Sequence, residues 1–408
     1  MYSVFIHIYA FFIRLGSLRI RKARLMVQGH KQTFPILEKK IEEGASYIWF
    51  HVSSLGEFEQ GRPLIEAMKK RNPEQKILLT FFSPSGYEVR KDYPLADIVC
   101  YLPIDTKRNA RRFVDMVKPT MVVFVKYDLW PNYLKAVADA NIPAYLVSAI
   151  FRKEQLYFQP YGKWFRSVLR CFKQIFVQDD DSLALLNKIG ITNAEKCGDT
   201  RFDRVLSIRE QAMPLPLVES FVEETPFVIV AGSTWPPDED VLLPYLLQKR
   251  KIKIILAPHE IDEDHLQSIE ERVGKSAIRY SRLEGAKKAN YRCLIIDCFG
   301  LLSSIYRYGS VAYIGGGFGA GIHNSLEAAV HGVPLAFGPN YEKFKEARDL
   351  VENGGAKVVK DELSLTYLLG HLKEDAADRV AMGRLSAGYV EANAGATEHI
   401  MNVISSEL

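Results

Sequence analysis

The chain has 408 residues, which is enough for two or three domains of ordinary size. Hydrophobic residues make up 48% and charged residues 25%, and these values exclude a disordered chain, a collagen-like chain and a polytopic membrane protein. The net charge of +4 is too small to indicate nucleic-acid binding by itself.

The basic character is concentrated at the N-terminus. Residues 1–37 contain six bases and no acid, whereas the rest of the chain carries 47 bases and 49 acids. An apolar, aromatic run from Tyr2 to Ile13 comes before all six bases, and it is too short to span a bilayer as a helix. We therefore predict that residues 1–37 form a membrane-associated arm that lies in an anionic membrane surface. A first core helix of the N-terminal domain is the alternative.

Two features favour a cytoplasmic location. The bases follow the apolar run and no small-residue cleavage site is present, so the arm lacks the pattern of a secretory signal. The five cysteines form no CxxC pair and are odd in number, which indicates neither a disulfide framework nor a zinc site.

Short apolar runs alternate with helical patterns along both halves of the chain, which predicts two doubly wound α/β domains with parallel sheets. In the first half, the predicted strands are 47–52, 76–82, 97–102, 120–125, 143–147 and 174–177. In the second half, they are 227–231, 253–257, 292–296, 310–314 and 333–336. We assign residues 38–205 to an N-terminal domain, 206–225 to a linker and 226–408 to a C-terminal domain with closing helices.

The first candidate site follows the first predicted strand. Glu57 lies at the start of a predicted helix, in a turn that also contains Ser54 and Gly56. Open α/β sheets place their sites at such strand-to-helix turns, and a carboxylate there can act as a general base. The alternative is an ordinary acid that complements the helix dipole. Ser83 and Ser85 repeat this arrangement after the second strand, either as phosphate- or sugar-binding hydroxyls or as a helix cap.

The second candidate site is a glycine-rich loop at residues 315–321, after a predicted strand. We expect a helix to follow it, with His323, Asn324 and Glu327 in its first turns. Glycines allow close approach of a backbone to a phosphate, so the segment predicts nucleotide or sugar-phosphate binding. Asn324 and Glu327 are three residues apart and share one helix face.

Weaker signals lie elsewhere. Ser233 ends a strand and either caps the next helix or binds an anion. The spacing of His259, Asp262 and His265 only loosely resembles a metal site, and the DxD at 179–181 reads better as acids at a helix start. Arg108, Arg111 and Arg112 form either a solvated helix face or a cationic patch for phosphorylated ligands.

Taken in order, these motifs resemble those of 3-deoxy-D-manno-octulosonic acid (Kdo) transferases, which add Kdo to the lipid A precursor. The motifs that carry the resemblance are SLGE (54–57), SPSGYE (83–88), DLWPN (128–132), GDTRFDRV (198–205), AGST (231–234) and the segment 315–340. The resemblance implies a GT-B fold, in which two Rossmann-like domains face a central cleft.

The resemblance also implies an activity and its residues. The enzyme would be an inverting, metal-independent glycosyltransferase without a cofactor, with Glu57 as the general base. It would move Kdo from CMP-Kdo to lipid IVA in lipopolysaccharide core biosynthesis, at the cytoplasmic face of the inner membrane of a Gram-negative bacterium. The implied acceptor-binding residues are Ser54, Gly56, Arg62, Ser83, Ser85 and Asp128. The implied donor-binding residues are Ser233, Thr234, Pro258, His259, Gly316, Gly317, His323, Asn324 and Glu327.

Some positions depart from the family pattern. Many members have an acid where this chain has Lys126, His where it has Trp235, and Arg-His where it has His259 and Glu260. Three alternatives remain open: a nucleotide-sugar epimerase on the same fold, a GT-B glycosyltransferase with a different lipid acceptor, and a non-enzymatic protein that binds membrane and nucleotide.

Overall fold

The structure of the protein is a computed structural model, and it describes residues 2–249, 251–287 and 290–405. The chain divides into two compact units. Unit 1 comprises Met1–Arg204 together with Ala394–Leu408, and unit 2 comprises Val205–Asn393.

Unit 1 is built on a parallel sheet of seven strands. In chain order they are β1 (Tyr47–Val52), β2 (Lys76–Phe81), β3 (Ile98–Tyr101), β4 (Met121–Val125), β5 (Ala144–Ala149), β6 (Gln174–Val177) and β7 (Ala194–Lys196). Their order across the sheet is β3-β2-β1-β4-β5-β6-β7. Trp49 and Phe50 are both fully buried and belong to separate apolar clusters, since successive side chains point to opposite faces.

The helices of this part of the chain cover the sheet on both faces, as parallel strands with continuous apolar runs require. They are α1 (Tyr2–Gly16), α2 (Arg21–Lys40), α3 (Leu55–Arg71), α4 (Pro84–Arg90), α5 (Lys107–Val117), α6 (Pro131–Asp139), α7 (Lys163–Leu169) and α8 (Asp180–Lys188). Asp179 caps α8 by accepting a hydrogen bond from the Ser182 N–H at 2.8 Å, in agreement with the helix-start interpretation of the DxD.

Unit 2 also has a parallel sheet of seven strands. They are β8 (Val228–Thr234), β9 (Lys253–Pro258), β10 (Ala277–Arg279), β11 (Cys293–Ile295), β12 (Val311–Ile314), β13 (Leu335–Phe337) and β14 (Ala356–Val358). Their order is β10-β11-β9-β8-β12-β13-β14. The prediction of two parallel-sheet α/β domains is confirmed.

The remaining helices belong mainly to unit 2. They are α9 (Thr200–Gln211), α10 (Pro216–Val222), α11 (Pro236–Gln248), α12 (Glu263–Val273), α13 (Leu302–Ile305), α14 (Leu326–Ala329), α15 (Lys345–Glu352), α16 (Glu362–Glu374) and α17 (Ala376–Ala392). The boundary between the units falls within α9. Most of the segment 206–225, predicted as a linker, is therefore helical.

The last helix, α18 (Ala396–Ser405), differs from the sequence-based assignment because it belongs to unit 1. Its apolar side chains Ile400, Met401 and Ile404 are buried in the same cluster as Phe58 of α3. Sequence alone placed residues 394–405 with the preceding helices, because a helical pattern does not say which sheet its apolar face covers.

The N-terminal helices α1 and α2 contain an exposed apolar surface. Phe5, Phe11 and Phe12 of α1 are each more than 60% exposed, whereas Ile6 is buried. Among the described residues, no individual helix has the length and apolar character needed to cross a membrane; α1 and α2 meet that test only as a pair, with a bend of 119° between them.

Candidate functional site

The candidate site of unit 1 lies where the strand order of its sheet reverses. The chain proceeds from β1 to β2 and β3 in one direction, then from β4 to β7 in the other, so β1 and β4 are neighbours. Ligands of open α/β sheets bind beyond the carboxyl ends of the strands at such a switch point. Glu57 follows β1, and Lys126 and Asp128 follow β4, so the topology brings together side chains about seventy residues apart.

Glu57 is a buried carboxyl at this switch point. It lies in the first turn of α3 and is 7% exposed. The Ser53 N–H donates a hydrogen bond to Oε2 at 2.5 Å, while the Glu57 N–H donates to Ser54 Oγ at 3.5 Å. Burial, assisted by the negative charge of Asp128, raises the pKa of Glu57 to about 7, although Lys126 opposes the rise. A carboxyl with this pKa can take up a proton near neutral pH, as a general base must.

Three polar groups meet at the Oδ2 atom of Asp128. His51 Nε2 lies 2.7 Å from it, Trp130 Nε1 donates at 2.9 Å, and the Ser53 hydroxyl donates a short hydrogen bond. His51 is fully buried, and its Nδ1 lies 2.8 Å from Thr80 Oγ1. Asp128 is therefore fixed beside Glu57. Sequence reasoning missed His51, although an imidazole inside the buried run YIWFHV is itself a signal that a polar partner is nearby.

The other predicted acceptor-site residues differ in their solvent exposure and in the hydrogen bonds they already make within the protein. Ser83 caps α4, and its hydroxyl lies 3.0 Å from that of the exposed Ser85. Gly56 is exposed in the first turn of α3. Arg62, further along α3, donates to Glu66 at 2.7 Å, so this guanidinium is already engaged by a carboxylate.

The candidate site of unit 2 lies at the corresponding switch point, between β8 and β12. Trp235 follows β8, His259 follows the neighbouring β9, and His323 follows the glycine loop after β12. Their rings form a stack: the centroids of Trp235 and His259 are 4.8 Å apart, and those of His259 and His323 are 4.2 Å apart. Trp235 Nε1 also donates a hydrogen bond to His323 Nε2 at 3.0 Å.

Most backbone N–H groups of the glycine loop donate hydrogen bonds to other groups of the protein. Gly316 donates to Asp238 Oδ2 at 2.8 Å, and both Gly319 and Gly321 donate to the Gly316 carbonyl. The glycines permit close backbone packing, since a Cβ at Gly317 would lie 2.5 Å from the Gly338 nitrogen. The loop is therefore a tightly packed support, and the side chains beside it become the main polar groups of the site.

The segment after the loop is less helical than predicted. The expected helix from His323 consists only of α14, Leu326–Ala329, and both His323 and Asn324 come before it. Its shortness follows from the turn at Gly332, which has a left-handed φ of 70°, and from the strand that begins at Leu335. Asn324 and Glu327 nevertheless meet as their spacing predicts, with Asn324 Nδ2 donating to Glu327 Oε1 at 2.9 Å.

The remaining predicted donor-site residues occupy the strand ends. Ser233 adopts a left-handed conformation with φ of 54°, and Thr234 is buried with its hydroxyl donating to Glu239 Oε1 at 3.0 Å. Pro258 is buried at the end of β9, whereas His259 is exposed. Ser233 and His259 thus present polar groups to a ligand more readily than Thr234 and Pro258. Within the described residues, no group of three or more His, Cys, Asp and Glu side chains is arranged to hold a metal ion.

The chain is similar in sequence to known proteins. Residues 22–204 match the family model described as 3-deoxy-D-manno-octulosonic-acid transferase. The 3-deoxy-D-manno-octulosonic acid transferase of Aquifex aeolicus is 27% identical over 84% of this chain and 90% of its own length. The enzyme of the same name from Rickettsia bellii is 28% identical over 88% of this chain and 86% of its own. The chain is a glycosyltransferase that resembles the Kdo transferases.

Solved structures with a similar fold support the GT-B fold that the sequence predicts for this chain. UDP-GlcNAc 2-epimerase from Neisseria meningitidis superposes with a TM-score of 0.62 at 16% identity, covering 88% of this chain and all of that one. MurG from Acinetobacter baumannii superposes with a TM-score of 0.55 at 11% identity, covering 88% and 99%. At such identities the likeness shows the fold alone.

Proposed function

We propose that this protein is an inverting, metal-independent Kdo transferase that moves Kdo from CMP-Kdo to lipid IVA in lipopolysaccharide core biosynthesis. The observation that carries the proposal is Glu57, a buried carboxyl with a raised pKa at the topological switch point of unit 1. The substrates are inferred from the family resemblance. The group that can remove a proton from an acceptor hydroxyl near neutral pH is the Glu57 carboxylate.

In the proposed reaction, Glu57 takes the proton of an acceptor sugar hydroxyl. The acceptor oxygen then forms a bond to the anomeric carbon of Kdo, while the bond from that carbon to the phosphate oxygen of CMP breaks and its electron pair leaves with CMP. Attack from the face opposite to the leaving group inverts the anomeric configuration. The Ser53 N–H orients the Glu57 carboxylate, and Asp128 increases its affinity for the proton.

The donor is assigned to the second switch point. His323 and Asn324 are partly or fully exposed beside the glycine loop and carry N–H groups suited to the phosphate of CMP. The buried Asp238 holds the loop by accepting from Gly316 and Tyr313, which fixes the position of these side chains.

We further propose that α1 associates with an anionic membrane surface, at the cytoplasmic face of the inner membrane of a Gram-negative bacterium. The exposed Phe5, Phe11 and Phe12 supply apolar contact, and the bases from Arg14 onward supply attraction to anionic lipid. The side chain of Tyr2 donates to Asp105 at 2.6 Å, so one end of the helix is tied to the folded unit.

The transfer is tested by mass spectrometry of lipid IVA after incubation with the protein and CMP-Kdo generated in situ. We expect a product heavier by one or more Kdo units, its formation unaffected by EDTA and abolished by Glu57→Gln. Glu398→Gln changes an exposed acid in the first turn of another helix of unit 1 and is the matched control. Unmodified lipid with folded protein and intact donor would refute the proposal.

Membrane association is tested by sedimentation with vesicles of phosphatidylethanolamine and phosphatidylglycerol. Changing Phe5, Phe11 and Phe12 together to Ser should release the protein into the supernatant. The matched control changes Phe299, Leu363 and Tyr367 to Ser, because these are at least as exposed but lie outside the arm. Equal sedimentation of both variants and the unchanged protein would contradict the assignment to α1.

A further inference from the structure

The stack of Trp235, His259 and His323 in unit 2 has a chemical consequence that ring packing alone does not require. The indole N–H is only a hydrogen-bond donor, because its nitrogen lone pair belongs to the aromatic system. Trp235 Nε1 lies 3.0 Å from His323 Nε2, so this imidazole nitrogen must be unprotonated and accept. A neutral imidazole carries one proton, and that proton must then be on Nδ1.

The surroundings of His323 keep the imidazole neutral. Burial and, to a smaller extent, the neighbouring His259 together lower its pKa to about 4. The stacked ring of His259 and the indole of Trp235 also fix the plane of the imidazole, since they meet it from the ends of two adjacent strands.

The Nδ1–H group has no protein acceptor in the described part of the chain. The backbone N–H of His323 donates to the Gly315 carbonyl at 3.1 Å, and Nε2 is occupied by Trp235. The residue is only partly buried, next to a loop whose own amides largely have protein partners. The ring therefore presents one fixed donor at the position where the ligand of this unit is expected.

We propose that Trp235 is a positioning residue, which locks His323 as the neutral Nδ1–H tautomer and so makes it a hydrogen-bond donor to the phosphate of the bound nucleotide. The assignment of the phosphate as ligand rests on the proposed function, whereas the tautomer does not. Recognition by a neutral N–H differs from recognition by an imidazolium, because binding then needs no proton uptake between pH 5 and 8. Trp235 is one of the positions at which this chain departs from the pattern of the family it resembles.

The tautomer is tested first, without reference to activity, by two-bond ¹H–¹⁵N spectra of the full chain labelled with ¹⁵N-histidine. The His323 signals are identified by their loss in His323→Asn. We expect only the Nδ1–H form at pH 7, and a mixture containing the Nε2–H form in Trp235→Phe, which keeps an aromatic ring but loses the donor. Trp164→Phe is the control for the loss of a partly exposed tryptophan elsewhere. An Nε2–H form or an imidazolium at pH 7 in the unchanged protein would overturn the proposal.

Ligand recognition is tested by calorimetric titration with CMP. In His323→Asn, the amide nitrogen takes roughly the place of Nδ1, whereas in His323→Gln the amide lies near the place of Nε2. We expect His323→Asn to bind CMP within about threefold of the unchanged protein and His323→Gln at least about tenfold more weakly. CMP should also shift the His323 Nδ1 signal, with the same binding enthalpy in buffers of different ionisation enthalpy.

The outcomes separate the two proposals. If CMP binds but the two variants are equally weakened, or the Nδ1 signal does not move, the role given to His323 is refuted while the proposed function stands. If the tautomer is as expected and CMP does not bind at all, the assignment of a CMP-linked donor to unit 2 fails, and with it the phosphate as partner of His323.

Discussion

Glu57→Gln should stabilise the fold at alkaline pH while it removes activity. A pKa raised from 4.5 in the unfolded chain to about 7 in the folded protein means that the folded protein binds the proton more tightly. Stability therefore falls as the pH rises from about 4.5 to 7, because the unfolded chain loses this proton while the buried carboxyl of the folded protein keeps it. Relative to a carboxyl that is protonated in both states, the loss of stability is about 1 kcal/mol at pH 5 and about 3 kcal/mol at pH 8.

A neutral glutamine avoids this cost at every pH. We expect Glu57→Gln to raise the free energy of unfolding by up to about 3 kcal/mol at pH 8 and by about 1 kcal/mol or less at pH 5. The midpoint of thermal unfolding should rise by about 2–4 °C for each kcal/mol in a unit of this size. Glu398→Gln, which changes an exposed acid of the same unit, should show no such pH dependence.

The assay is thermal and urea unfolding at pH 5 and pH 8, paired with a pH profile of kcat/KM for the unchanged enzyme. Transfer should rise with pH through about 7, because only the ionised carboxylate accepts a proton. An equal effect of Glu57→Gln on stability at both pH values, or a rate that does not change between pH 6 and 8, would refute the reasoning.

Three further changes probe the two sites, and a fourth serves as a control. Asp128→Asn removes a negative charge that raises the pKa of Glu57, so the acid limb of the pH profile should move to lower pH; an unmoved limb would show that this charge does not act on the base. Asp238→Asn weakens the anchor of the glycine loop and should lower the free energy of unfolding by about 2 kcal/mol and weaken CMP binding, as urea unfolding and calorimetry would show. Gly317→Ala places a Cβ against the Gly338 backbone and should destabilise by about 1–3 kcal/mol, whereas Gly388→Ala in α17 meets open space and should stabilise by about 0.5–1 kcal/mol. Equal urea midpoints for these two glycine variants would contradict the packing argument.

The sequence predicted the central strands and one edge strand, β3, but missed the other three edge strands of the two described sheets. The predicted runs 47–52 and 174–177 coincide with β1 and β6, since both are mostly apolar and, apart from Gln174 at the start of β6, fully buried. The three strands that the sequence did not predict, β7, β10 and β14, all lie at sheet edges and have only three residues each. An edge strand is covered less completely, so its sequence need not carry an apolar run.

The sequence also determined which residues follow the strand ends, and hence Glu57 and the glycine loop as candidates. Only the tertiary structure decided what these groups can do. Glu57 gains its raised pKa from burial and from Asp128, 71 positions away, and the indole of Trp235 reaches His323 across 88 positions. A parallel sheet aligns strand ends that are far apart in the chain, and neither burial nor a hydrogen-bond partner at such separations is encoded in any local pattern.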